Sequence, residues 1–166
     1  MKGNRILCNI VVLNVFLFTL FIPLFSQSQS ELKDMFLEAE SYFLFEEYKD
    51  ALPLYQKILL AEPENFNVTY KIGICYLNDP YQKEKSIQYL EEAVEYAKAD
   101  YRENSFREKQ APLDAYYYLG NAYRINNRLE EAIKTYRKFK EILDPEIYDS
   151  DLVDKQIQSC RIALRI

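Results

Sequence analysis

Histidine and tryptophan are missing from this 166-residue sequence, and glycine occurs only three times. Without histidine the chain lacks the commonest general base near neutral pH and the commonest transition-metal ligand. Catalysis would fall to carboxylates, Tyr, Lys or Cys alone. Glycine at positions 3, 73 and 120 only leaves no phosphate-cradling loop. No Cys-x-x-Cys pair and no Ser-His-Asp set exists. The sequence therefore points to no enzyme, no cofactor and no metal. An excess of positive charge is also lacking: 21 basic residues face 26 acidic ones, for a formal charge of −5. With no basic stripe, nucleic acid is a poor candidate partner. Scarce glycine and few Val or Thr runs argue against a β-sandwich.

What is present is a helix former's composition. The chain is 49% hydrophobic and 28% charged, which is globular rather than disordered. Its long segments rich in Ala, Leu, Glu and Lys favour helices. Tyrosine is unusually heavy at 15.

The opening MKGNRILCNIVVLNVFLFTLFIPLFSQSQS has Lys2 and Arg5, an apolar run to Phe25, and then small polar residues. That is the three-part layout of a secretory signal, here residues 1–28, with the mature domain spanning 29–166. Ser26 and Ser28 supply a small-x-small site. The preferred bond is Ser28-Gln29, with cleavage after Ser26 as the alternative. An uncleaved inner-membrane anchor is the other reading, because the apolar run is long. Cys8 precedes the apolar core and is badly placed for a lipoprotein cysteine. Export is expected to place the protein in the periplasm or at the outer membrane. Two cysteines then remain, Cys75 and Cys160. They are either a bridge formed in an oxidising compartment or two small core residues in separate helices.

Gly120 raises the question that organises the rest. It lies in YYYLGNAYRINNRLEEAIKTY, where glycine costs a helix about 1 kcal/mol against alanine. Leu119-Gly120 and Tyr123 match Ile72-Gly73 and Tyr76, and Ala39 with Tyr42 stands 34 residues before Gly73. Ala51, Ser86 and Ala132 follow these small residues at similar spacing, and Tyr55, Leu90 and Tyr136 stand four further on. This pattern resembles the tetratricopeptide repeat (TPR) family, whose 34-residue unit is a pair of antiparallel helices. The resemblance implies an all-α solenoid with repeats at 32–65, 66–98 and 113–145. It also implies that Gly120 lets helix B approach closely, with Ala132 facing it. The turns fall at Glu46-Glu47, Asn78-Asp79-Pro80 and Asn126-Asn127. Ile58 and Phe139 stand where the family has a small residue, and only Ala93 conforms there.

Residues 99–112, ADYRENSFREKQAP, interrupt the repeats. Their mixed charges suggest a solvated insertion that extends the second helix B, then loops, with Pro112 opening the next helix. The alternatives are a tolerated insertion and a docking loop using Tyr101 and Phe106. From Asp149-Ser150 onward, Val153, Ile157, Cys160 and Leu164 share one helical face. A helix at about 150–165 is expected to cap the open end of the array.

In TPR arrays the A helices line a concave groove for a peptide or partner helix. Carried over residue by residue, the resemblance implies groove positions at Phe36, Tyr70 and Tyr117, at Glu40, Ile74 and Asn121, and at Phe43, Leu77 and Arg124. Lys71 joins them at the rim. The other reading of the aromatic stripe is inter-repeat core. The family's clamp for a C-terminal carboxylate would use Phe36, Glu40, Lys71, Asp114 and Tyr118. Only Lys71 among them is basic, so that clamp is not implied. The order of signal, repeats and final helix is also similar to the N-terminal TPR module of Gram-negative envelope proteins that carry β-propeller and OmpA-type domains. The implied function is an exported, non-enzymatic adaptor binding a protein or peptide partner through its groove. The alternative is a structural, self-associating subunit of an envelope or secretion complex, and an enzyme or its remnant stands third. Membrane contact is expected only through the signal or such a complex.

Overall fold

The computed structural model describes residues 28–143 and 150–165. Seven helices lie within them: α1 Gln29–Leu44, α2 Tyr48–Ala61, α3 Phe66–Leu77, α4 Lys85–Val94, α5 Ala115–Ile125, α6 Leu129–Ile142 and α7 Ser150–Ala163. Each helix packs on its neighbours in the chain, and the result is an all-α, TPR-type solenoid of helix pairs covered by α7. The expected leader, Asp144-Pro145 and Asp149 lie outside the described residues.

Local signals explain the boundaries. Ser28 caps α1 reciprocally: its Oγ accepts from the Glu31 amide at 3.2 Å, and a Glu31 carboxylate oxygen accepts from the Ser28 amide at 3.1 Å. Asn65 caps α3 by accepting from the Val68 amide at 3.2 Å. Helix α3 occupies the middle of the array and is buried along its length from Asn67 to Tyr76. Val68, Ile72, Cys75 and Tyr76 join one core with α1 and α2, while Tyr70 and Ile74 join a second with α4 to α7. Cys75 and Cys160 are separate, buried free thiols, and burial pushes the Cys75 thiol up to about 12. Both are core residues.

The nearest neighbour of Gly120 is the ring one turn beyond Ala132. A Cβ on Gly120 would lie 2.5 Å from the Tyr136 ring, and one on Gly73 would lie 2.7 Å from the Leu90 side chain. Glycine makes room for a large residue one turn beyond the small one. Ala39 and Tyr55 occupy the matching positions in the first pair, both fully buried. The repeat tyrosines clasp successive pairs together. The Tyr76 hydroxyl accepts from Gln56 of α2 at 2.9 Å, and the Tyr123 hydroxyl donates to Glu91 of α4 at 2.5 Å.

The insertion departs most from expectation. Helix α4 stops at Val94 instead of extending, because the chain turns into a bridge. Strands β1 Ala97–Lys98 and β2 Ala111–Pro112 pair in parallel, and the Ala111 amide donates to the Tyr96 carbonyl at 3.2 Å. Pro112 therefore sits in that bridge, and α5 opens at Ala115. The loop closed by this neck is organised around Glu108, a carboxylate only 3% exposed. Glu108 accepts from the amides of Arg102, Lys109 and Gln110 and pairs with Lys98 at 3.1 Å. Burial pushes its pKa up, but these donors outweigh burial and hold it below the usual carboxylate value. At the far end, Leu164 lies beyond α7 and is exposed, so only Val153, Ile157 and Cys160 form the covering face.

Candidate functional site

The ten residues expected to line a groove do not form one surface; Leu77, for one, is half-buried against the core of α4 to α7. Phe36 is 1% exposed and packs edge-on against Tyr55 and Phe106, at 6.5 and 5.8 Å between ring centroids. It is core under the insertion. Phe106 is thereby engaged within the chain, as is Tyr101, whose hydroxyl donates to Asn67 at 2.7 Å. The insertion is a folded wall and not a free docking loop. Tyr117 is half-buried, 5.9 Å from both Tyr136 and Phe139, so it packs within its own helix pair. Asn121 accepts from the Tyr136 hydroxyl at 2.6 Å, and Glu40 accepts from the Tyr55 hydroxyl at 2.5 Å. Both tie helix A to helix B. Arg124 lies beside Tyr136; burial pushes that phenol up to about 12 against the pull of the guanidinium.

Lys71 is no rim residue. It is 3% exposed, with its ammonium 2.9 Å from Glu40 and 4.7 Å from the centre of the Phe43 ring. The sequence offered no sign of this pair, because Glu40 and Lys71 lie in different repeats and meet only when α1 and α3 stack.

Four of the ten do converge. Phe43, Tyr70, Lys71 and Ile74 line a cleft of about 550 Å³ on the inner side of α1, α3 and α5. Tyr118 and Asp114 complete its α5 side, and Lys98, Tyr101 and Glu103 supply the insertion side. Tyr70 and Tyr118 meet edge to face, their ring centroids 5.8 Å apart, and both line the cavity, with Tyr118 the less buried of the two. Burial, then the neighbouring Tyr118, Asp114, Tyr101 and Glu103, drives the Tyr70 phenol well above its ordinary pKa. Burial and the same two carboxylates also raise Tyr118. The phenols are thus neutral hydrogen-bonding groups and not bases. Glu103, in the insertion, and Lys98, at the end of the second repeat, carry no register signal, and Tyr101 was marked only as part of a docking loop. Asp114 and Tyr118 were marked by the clamp register and not by the aromatic stripe.

Residues 82–146 match the family model described as a tetratricopeptide repeat. The match spans α4, the insertion, α5 and α6. No curated protein matches the sequence significantly. Among solved structures, the first TPR of Spaghetti (RPAP3), bound to the HSP90 peptide SRMEEVD, is 19% identical, with a TM-score of 0.61, covering 84% of this chain and all of that one. The TPR2B domain of yeast Sti1, in complex with pHsp70, is 14% identical, with a TM-score of 0.60, covering 80% of this chain and 97% of that one. A MamA variant is 22% identical, with a TM-score of 0.56, over 72% and 78% of the two chains. These likenesses are of fold. They agree with the TPR-type helix pairing seen here.

Proposed function

We propose that the protein is a non-catalytic adaptor whose inner cleft holds an extended stretch of a partner protein. The observation that carries this reading is the cleft itself: aromatic and aliphatic on its α1 and α3 side at Phe43, Tyr70 and Ile74, and walled by a folded insertion. Large rings that are already positioned give contact area at low entropic cost. Two structural neighbours are described with peptides or chaperone partners bound, which supports a peptide-holding use of the same fold. The deciding measurement is affinity for a partner recovered from an envelope extract. Tyr118→Ala, which trims a half-buried ring, should weaken it by about tenfold, the usual effect of losing an interface anchor. Equal affinity with an unchanged melting curve would exclude the cleft.

Export belongs to the same proposal and rests on the leader. The capping box supports a cut after Ser26 in place of Ser28, since cleavage at Ser28-Gln29 would remove the residue that caps α1. A mature chain beginning at Gln27 is expected on N-terminal sequencing. A start at Gln29 would contradict it, and retention of Met1 would indicate an anchor. A self-associating scaffold of an envelope complex is the second reading, favoured by exposed Leu152 and Ile162 on α7. A stable oligomer in a size measurement would favour it.

A further inference from the structure

We infer that the partner stretch is basic, and that the cleft receives a lysine or arginine side chain from it. This rests on the cleft being the binding site and goes on to name the chemistry it selects. Two lysines line the cavity, and both are already met by carboxylates. The Lys71 ammonium lies 2.9 Å from Glu40, and that of Lys98 lies 3.1 Å from Glu108 and 3.7 Å from Asp100. The same cavity also contains the carboxylates of Glu103 and Asp114. Counted with the acids that hold the lysines, and with Arg102, which also pairs with Glu108 at 3.8 Å, the neighbourhood is still net negative. The rise in the Tyr70 and Tyr118 phenols, to which both carboxylates contribute after burial, agrees with that sign.

The rings fit the same ligand. Tyr70 and Tyr118 both line the cavity and meet edge to face. The electron-rich face of a tyrosine attracts a guanidinium or ammonium, most strongly where water is displaced. This chain already uses that contact elsewhere, with Lys109 4.7 Å from the centre of Phe106 and Arg128 4.5 Å from that of Tyr123. An acidic tail would bring its charge against Glu103, while both cleft lysines are already held by carboxylates. A formal charge of −5 on the whole chain adds long-range steering of a basic segment.

The test titrates the purified protein with three labelled peptides of one length, alternating leucine with lysine, with glutamate or with glutamine. The lysine peptide should bind about tenfold tighter than the glutamate peptide and weaken as salt rises. Glu103→Lys changes an exposed residue and should leave melting unchanged while lowering affinity for the lysine peptide by about tenfold. Equal or tighter binding of the glutamate peptide would overturn the inference. So would lysine-peptide binding that Glu103→Lys or Tyr118→Ala leaves untouched, since that is mere attraction to an acidic surface. If the glutamine peptide binds as well as the lysine peptide and loses affinity in Tyr118→Ala, the basic partner is wrong and the cleft stands. If no peptide depends on Tyr118, both fall together.

Discussion

The first and third helix pairs solve one packing problem the same way, and the second pair between them solves it differently. In the outer pairs a tyrosine from helix B enters beside the small residue of helix A, and its hydroxyl donates to the next residue along. Tyr55 reaches Glu40 beside Ala39, and Tyr136 reaches Asn121 beside Gly120. In the middle pair Leu90 enters beside Gly73, and the next residue is Ile74, so no polar atom needs a partner there. The links differ too. Three residues join the helices of each outer pair, with Glu46 and Asn127 at positive φ of 60° and 59°, while seven residues join α3 to α4. Position accounts for part of this. Helix α3 is covered on several sides, and a buried hydroxyl there would need an equally buried acceptor. Ile74 is also left apolar at the inner face, where it lines the cleft.

The sharpest way to break this comparison is to add a methyl group to each glycine. Gly120→Ala would push its Cβ into a fully buried, hydrogen-bonded ring at 2.5 Å. The ring has no free rotation to offer, so overpacking of about 2 kcal/mol net is expected, against a helix-propensity gain of about 1. Gly73→Ala meets Leu90 at 2.7 Å, and a leucine can change rotamer. Its net effect should stay within about 0.5 kcal/mol of the parent, the clash and the propensity gain nearly cancelling. Urea melts of both variants decide it. If Gly73→Ala is the more damaging, the tyrosine is not what fixes the outer pairs.

Removing single hydroxyls isolates the polar part. Tyr55 donates to a carboxylate and Tyr136 to a neutral amide, so Tyr55→Phe should cost about 1.5 kcal/mol and Tyr136→Phe about 1. Glu40 keeps its bond to Lys71 in the first variant, which limits the loss. Equal costs in denaturant titrations would mean that the charge on Glu40 adds nothing to the bond.

How much of this was legible in the sequence follows from the same residues. The helix pairs, their turns and the buried tyrosines could be read because each depends on spacing within one repeat. Tyr136 lies where the periodicity places it, and the small-then-large rule recurs at Ala39, Gly73 and Gly120. The cleft was only half legible. Phe43, Tyr70, Lys71 and Ile74 could be read from the register. The Glu40–Lys71 pair, the seating of Phe106 on Phe36 and the Glu108-centred insertion are contacts between segments far apart in the chain. Nothing local announces such pairings. ADYRENSFREKQAP has the composition of a solvated loop, yet it folds because one buried carboxylate gathers three amides and a lysine. Composition averages over that single residue.

The smallest effect tests the links. Glu46 and Asn127 hold the same left-handed backbone, at φ 60° and 59°, in corresponding turns. Asparagine enters that region readily because its short side chain bonds locally, whereas glutamate carries the ordinary penalty of an L residue there. Glu46 is exposed, so exchanging it disturbs little packing. Its carboxylate also adds, after burial, to the upward shift of the nearby Tyr48 phenol, an interaction that does not stabilise the turn at neutral pH. Glu46→Asn should therefore raise stability by about 0.5 kcal/mol, part of the left-handed penalty, and Asn127→Glu should lower it by a similar amount. Thermal melts of the two exchanges should move in opposite directions. Movement in the same direction would mean that the outer turns are alike in backbone only, and that their side chains serve different neighbours.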